Sequence, residues 1–86
     1  MYEIRFKSNI QKELRRLGEP QGQQIIEALY SKLACDPKQG KPLKGKHKGL
    51  WRYRVGNYRI IYTFNDKELW ILVLEIDHRK DVYKDH

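Results

Sequence analysis

The sequence predicts an α+β domain: an N-terminal strand and a helical hairpin, then a three-stranded antiparallel meander, with the helices on one face of one largely antiparallel sheet. Three observations carry that expectation. Apolar residues recur at helical spacing between residues 10 and 33. Residues 51–55 and 58–64 alternate apolar and polar, as half-buried strands do. Between those two runs, Gly56-Asn57 is a two-residue hairpin signal. The 86 residues allow one core and hence one domain, 1–86, with no repeat or linker inside it.

Taken in order, Tyr2, Ile4 and Phe6 alternate with Glu3, Arg5 and Lys7 and predict the first strand. Ser8 followed by Gln11 fits a capping box that opens a helix. Ile10, Leu14 and Leu17 line one face of it, and Gly18 stands where a helix stops. Pro20 can start the second helix, whose stripe is Ile25, Ile26, Leu29, Tyr30 and Leu33, ending before Asp36-Pro37. Residues 38–49 carry four Gly or Pro among lysines and read as loop. Trp51, Tyr53 and Val55 then face one way, Arg52 and Arg54 the other. The returning strand runs from Tyr58 to Phe64, Asn65-Asp66 marks the next turn, and residues 69–76 are apolar on both faces, as a central strand is.

Charge narrows the function. Eighteen Lys and Arg against eleven Asp and Glu give +7. Residues 38–59 hold eight basic side chains and no acidic one, so essentially all the excess belongs to this segment. Interleaved as it is with Trp51, Tyr53, Val55 and Tyr58, the block predicts an ordered surface for a polyanion, not a disordered tail. A single cysteine, Cys35, forms no internal disulfide and points to a reducing cytoplasm. No apolar run approaches the ~20 residues that span a bilayer, and Met1-Tyr-Glu-Ile-Arg has no apolar stretch behind a basic start, so neither membrane nor secretion is expected.

The hairpin turns composition into a candidate site. With Gly56-Asn57 at the turn, Val55 faces Tyr58, Tyr53 faces Ile60 and Trp51 faces Tyr62, a self-consistent core face. The same register sets Arg54 opposite Arg59, with Arg52 nearby on that face. Like charges across strands repel. Three guanidiniums on one face suit a phosphate, which they grip in a bidentate fork. Carried through the Asn65 turn, the pairing also aims Trp70, Leu72, Leu74 and Ile76 at the face of Arg59, an apolar surface left for a partner. His78, at the end of the last strand, is the chemically better acid or base, since arginine stays protonated.

These motifs resemble the RelE/ParE superfamily of type II toxin–antitoxin toxins, and the RelE-like branch in particular. The likeness rests on Lys41-Pro-Leu-Lys-Gly45, Trp51-Arg-Tyr-Arg54, Gly56-Asn-Tyr-Arg-Ile-Ile-Tyr62 and Asp77-His-Arg-Lys-Asp-Val-Tyr83. It implies a RelE-like microbial ribonuclease fold that cleaves messenger RNA in the ribosomal A site, inhibits translation and is neutralised by a cognate antitoxin. The chemistry implied is metal-free and without a small-molecule cofactor: the ribose 2′-hydroxyl attacks the adjacent phosphate. By the same resemblance Arg59 stabilises the transition state, Arg79 supplies charge or protonates the leaving group, and Tyr83 stacks on the scissile nucleotide. Arg52 and Arg54 stand where RelE has lysines, so Arg54 holds phosphate but is a poor base. Lys44, Lys46 and Lys48 are expected to contact 16S ribosomal RNA, and Lys46, His47 or Lys48 could reach in to the reaction. Two other functions fit the same residues: a ParE-type poison of DNA gyrase, and a non-catalytic RNA- or ribosome-binding module.

Overall fold

A computed structural model describes residues 1–78. The chain forms β1 (Glu3–Phe6), α1 (Ile10–Leu17), α2 (Gln21–Ala28), β2 (Lys41–Pro42), β3 (Trp51–Val55), β4 (Tyr58–Asn65) and β5 (Trp70–His78). One sheet holds these five strands in the order β1-β5-β4-β3-β2. Of the pairings, β1 with β5 is parallel, matching Ile4 with Ile71 and Phe6 with Val73. The other pairings are antiparallel, as the meander required.

The helices cover one face. Ile10 and Leu14 of α1, Ile25 of α2, and Leu29 and Leu33 of the wide turn that extends α2 meet Ile60, Tyr62, Ile71 and Val73 in a single core. Six of these side chains and Tyr62 are fully buried, and at about 1.5–3 kcal/mol for each large apolar side chain they are the main source of stability. Of the expected second stripe, Ile25, Leu29 and Leu33 point inward, whereas Ile26 and Tyr30 remain exposed.

Two local expectations are corrected. The capping box does not form: α1 opens after Asn9 at φ 81°, with no side-chain cap. The amide of Ile10 instead donates to the carbonyl of Lys7 at 3.1 Å, a tight turn that the short polar side chain of Asn9 tolerates. The stretch 38–49 is also more than loop. Its Lys41–Pro42 pairs with Arg52 and Trp51 as an edge strand, too short for an alternating pattern to reveal. Gly40 makes this approach possible, because a Cβ there would lie 2.7 Å from the carbonyl oxygen of Arg52 and collide with the hydroxyl of Tyr62.

The β3–β4 hairpin has the predicted register throughout, including Arg54 opposite Arg59, and Gly56 supplies the positive φ of 58° that the turn demands. Between β4 and β5 the register does not run straight. Asn65 to Tyr62 pair with Trp70 to Val73, but Ile61 pairs with Glu75, leaving Leu74 as the extra residue of a β-bulge. A one-residue shift moves every later side chain to the opposite face. Trp70 and Leu72 therefore share the face of Arg59 as expected, while Ile76 turns to the core face opposite Ile60. Glu75 and Asp77 take the places beside Arg59 that the uninterrupted register assigned to Leu74 and Ile76.

Candidate functional site

The sheet face turned away from the helices carries the charge in cross-strand rows. One row reads Asp77, Arg59, Arg54 across β5, β4 and β3. The next reads Glu75, Ile61, Arg52, Lys41 and extends to β2. Adjacent strands stand about 4.8 Å apart, so side chains along a row reach one bound group. Arg52, Arg54, Arg59 and Lys41, with Gln39, Gly40 and Tyr53, line a cleft of about 390 Å³. Among the described residues four cations and no carboxylate border it, a composition made for an anion.

Arg59 is more enclosed than Arg54 and Lys41, which are exposed. Its side chain is 18% exposed, one terminal nitrogen lies 3.9 Å from Oδ2 of Asp77, and its buried Nε has no hydrogen-bond partner among the described residues. An unpaired buried donor on a cation is costly, and a phosphate oxygen is the kind of acceptor that would satisfy it. On the acidic side, Glu75 has its pKa raised, first by sharing a hydrogen bond with Asp77 and then by partial burial and the charge of Asp77; Lys7 and Arg59 act in the opposite sense.

Below the cleft the scaffold is tied by a buried hydrogen bond. The hydroxyl of fully buried Tyr62 donates to the carbonyl of Pro37 at 2.6 Å. Burial pushes its pKa up to about 12, against the opposing effect of the Gly40 backbone. This bond pins the segment that carries Gln39, Gly40 and Lys41 onto β4, and so sets one wall of the cleft.

The residues singled out from the sequence divide accordingly. Arg52, Arg54 and Arg59 converge as expected. Lys44, Lys46 and Lys48 lie on a separate exposed loop, one turn of 3₁₀ helix at Gly45–His47 closed by the Leu43 amide donating to the Leu50 carbonyl at 2.9 Å. Neither these lysines nor His47 line the cleft. His78 pairs with Tyr58, its ring edge-on at 4.8 Å, on the face opposite Arg59. Arg79 and Tyr83 lie outside the described residues. Sequence reasoning missed Lys41, hidden in an apparent loop, and the pair Glu75 and Asp77, which only the bulge brings round. Among the described residues no group of three or more His, Cys, Asp or Glu is arranged to hold a metal ion, and no helix is long and apolar enough to cross a membrane.

A five-stranded sheet with one parallel edge strand and two helices on one face is a fold shared with toxins of the RelE/ParE superfamily, and here its open face carries a basic cleft. The chain belongs to the family described as the ParE toxin of the type II toxin–antitoxin system parDE, whose model matches residues 4–83. Among curated proteins it is 30% identical over 84 residues to toxin RelG of Mycobacterium tuberculosis, covering 96% of this chain and 97% of that one. Among solved structures it resembles the toxin–antitoxin complex RelBE2 of M. tuberculosis, with a TM-score of 0.83 at 29% identity over 91% of each chain. It also resembles the archaeal RelE–RelB complex of Pyrococcus horikoshii, with a TM-score of 0.74 at 27% identity over 91% of this chain and 94% of that one.

Proposed function

We propose that this toxin is a ribosome-dependent endoribonuclease that cleaves messenger RNA in the A site. The ribose 2′-hydroxyl attacks the adjacent phosphate without a metal, and loss of message stops translation. The observation that carries this reading is the convergence of Arg52, Arg54, Arg59 and Lys41 on one cleft, with the buried Nε of Arg59 unpaired among the described residues. Charge develops on the phosphate oxygens in the transition state, and fixed guanidiniums aimed at them stabilise it more than the ground state. Arg79 and Tyr83 complete the site in this reading, as leaving-group partner and stacking platform. Lys44, Lys46 and Lys48 bind ribosomal RNA. The partner that restrains the toxin is a cognate antitoxin, a reading supported by similar toxins solved in complex with theirs.

A second reading, poisoning of DNA gyrase, has the ParE description of the family in its favour. Primer extension on translated messages, run beside a supercoiling assay with purified gyrase, decides between them. The ribonuclease reading expects discrete cuts within codons of ribosome-bound message and unimpaired supercoiling. Intact message with inhibited supercoiling overturns it. Ribosome binding with neither effect makes the chain a non-catalytic binding module.

A further inference from the structure

Cleavage through a 2′-hydroxyl needs a group to take its proton, and among the described residues the four cations that line the cleft are poorly suited to it. Arginine stays protonated, Lys41 lies exposed on the edge strand, and His78 faces the other side of the sheet. The bulge at Leu74 brings a different candidate to the correct face. It replaces an apolar wall beside Arg59 with Glu75 and Asp77, two carboxyl groups at neighbouring positions on one face of β5.

Resting on the ribonuclease reading above, we infer that Glu75 is the catalytic base, oriented by Asp77, which is itself held against Arg59. A phosphate seated over Arg59 has its neighbouring 2′-hydroxyl within about one strand spacing, ~4.8 Å, of β5. Ile61 lies between Glu75 and Arg52 in the same row and provides an apolar floor for the ribose. The 2′-hydroxyl proton passes to a carboxylate oxygen of Glu75 as the O2′–P bond forms. The P–O5′ bond breaks with its electron pair on the 5′-oxygen, which takes its proton from water, leaving a 2′,3′-cyclic phosphate. The charged groups that face Glu75 are Asp77 on its own strand, Lys7 at the end of β1 and Arg59 on β4. A carboxyl raised towards neutrality by its neighbours is better matched to proton abstraction at physiological pH than an ordinary one.

The test is single-turnover cleavage of a message in ribosomal complexes by the wild type, Glu75→Gln, Glu75→Asp and Asp77→Asn across a pH series. Binding to the same complexes and the thermal midpoint are measured in parallel. Glu75→Gln should lose about 10²–10⁴-fold in cleavage rate, the usual contribution of a positioned proton acceptor. Binding should hold within roughly twofold, the acidic limb of the pH–rate profile should vanish, and Glu75→Asp should recover part of the rate with an acidic limb. Asp77→Asn should keep the limb but move it to lower pH. A Glu75→Gln protein that cleaves at the wild-type rate, or loses rate only in proportion to binding or folding, overturns the inference while the ribonuclease reading stands. A wild type that cuts no message overturns both. Glu75 is exposed and outside the core, so its replacement leaves the packing that forms the domain in place.

Discussion

Arg54 and Arg59 stand directly opposite each other across the β3–β4 hairpin, where facing like charges cost a few tenths to about 1 kcal/mol. The hairpin could relieve this with any uncharged polar residue at either position. Both cations instead open onto one cleft, which is the arrangement of a site that gains more from its ligand than it loses in the free protein. Arg59→Ala should therefore separate activity from stability. Cleavage of ribosome-bound message should fall about 10²–10³-fold, as on loss of one preorganised donor. The urea unfolding free energy should change by less than about 1 kcal/mol, because relief of repulsion from Arg54 and of the unpaired Nε offsets the missing ion pair to Asp77. An unchanged cleavage rate removes Arg59 from the mechanism.

The two groups of cations should also differ. Arg52 and Arg54 line the cleft, whereas Lys44, Lys46 and Lys48 sit on the loop beyond β2. Removing one cation that touches a phosphate should flatten the salt dependence of ribosome binding by roughly 0.7–0.9 in log–log slope. Replacing a loop lysine with alanine should do this and leave the rate of bound complexes unaltered. Replacing Arg54 should reduce both. If the slope is indifferent to all three lysines, the loop is a solubilising surface.

The pin beneath the cleft makes a stability prediction. Tyr62→Phe removes the hydroxyl that donates to the Pro37 carbonyl and leaves a buried acceptor unmet, at a cost of about 1–3 kcal/mol. Gly40→Ala forces a Cβ against the carbonyl of Arg52 and the Tyr62 hydroxyl, which should cost a similar ~1–3 kcal/mol of overpacking and displace Lys41. Chemical denaturation measures both. A wild-type midpoint for Gly40→Ala would mean that β2 shifts freely.

The carboxylate pair makes stability depend on pH in a definite direction. Because the folded-state pKa of Glu75 is raised, its contribution is fully present below the unfolded carboxylate value and is lost as pH rises through the folded one. Glu75→Gln keeps a neutral hydrogen-bonding group there. Its stability relative to the wild type should rise on going from about pH 4 to about pH 8, by no more than about 1 kcal/mol since the pair is open to solvent. Thermal midpoints across that range check it, and a difference that stays constant with pH contradicts it.

Much of the fold was legible because it is written in short-range periodicity. The alternation of Trp51, Tyr53 and Val55, the turn at Gly56, and the helical spacing of Ile10 with Leu14 and of Ile25 with Leu29 each follow from local geometry alone. So does the facing of Arg54 and Arg59, since a two-residue turn leaves a hairpin one register. What escaped depends on pairing between strands that no short turn constrains. Lys41–Pro42 becomes a strand only because β3 offers an edge and Gly40 lets the backbone approach.

By itself, then, the sequence determined the α+β class, the core face of the hairpin and the three arginines of an anion site. Tertiary structure decided which residues stand beside them. The bulge at Leu74 lets Val73 and Ile76, separated by an odd number of steps, both turn towards the helices. In doing so it rotates His78 away and brings Glu75 and Asp77 to Arg59. Strand side chains alternate strictly, so one extra residue changes the chemistry of a face from apolar to acidic, and no local pattern in the sequence marks where that residue falls.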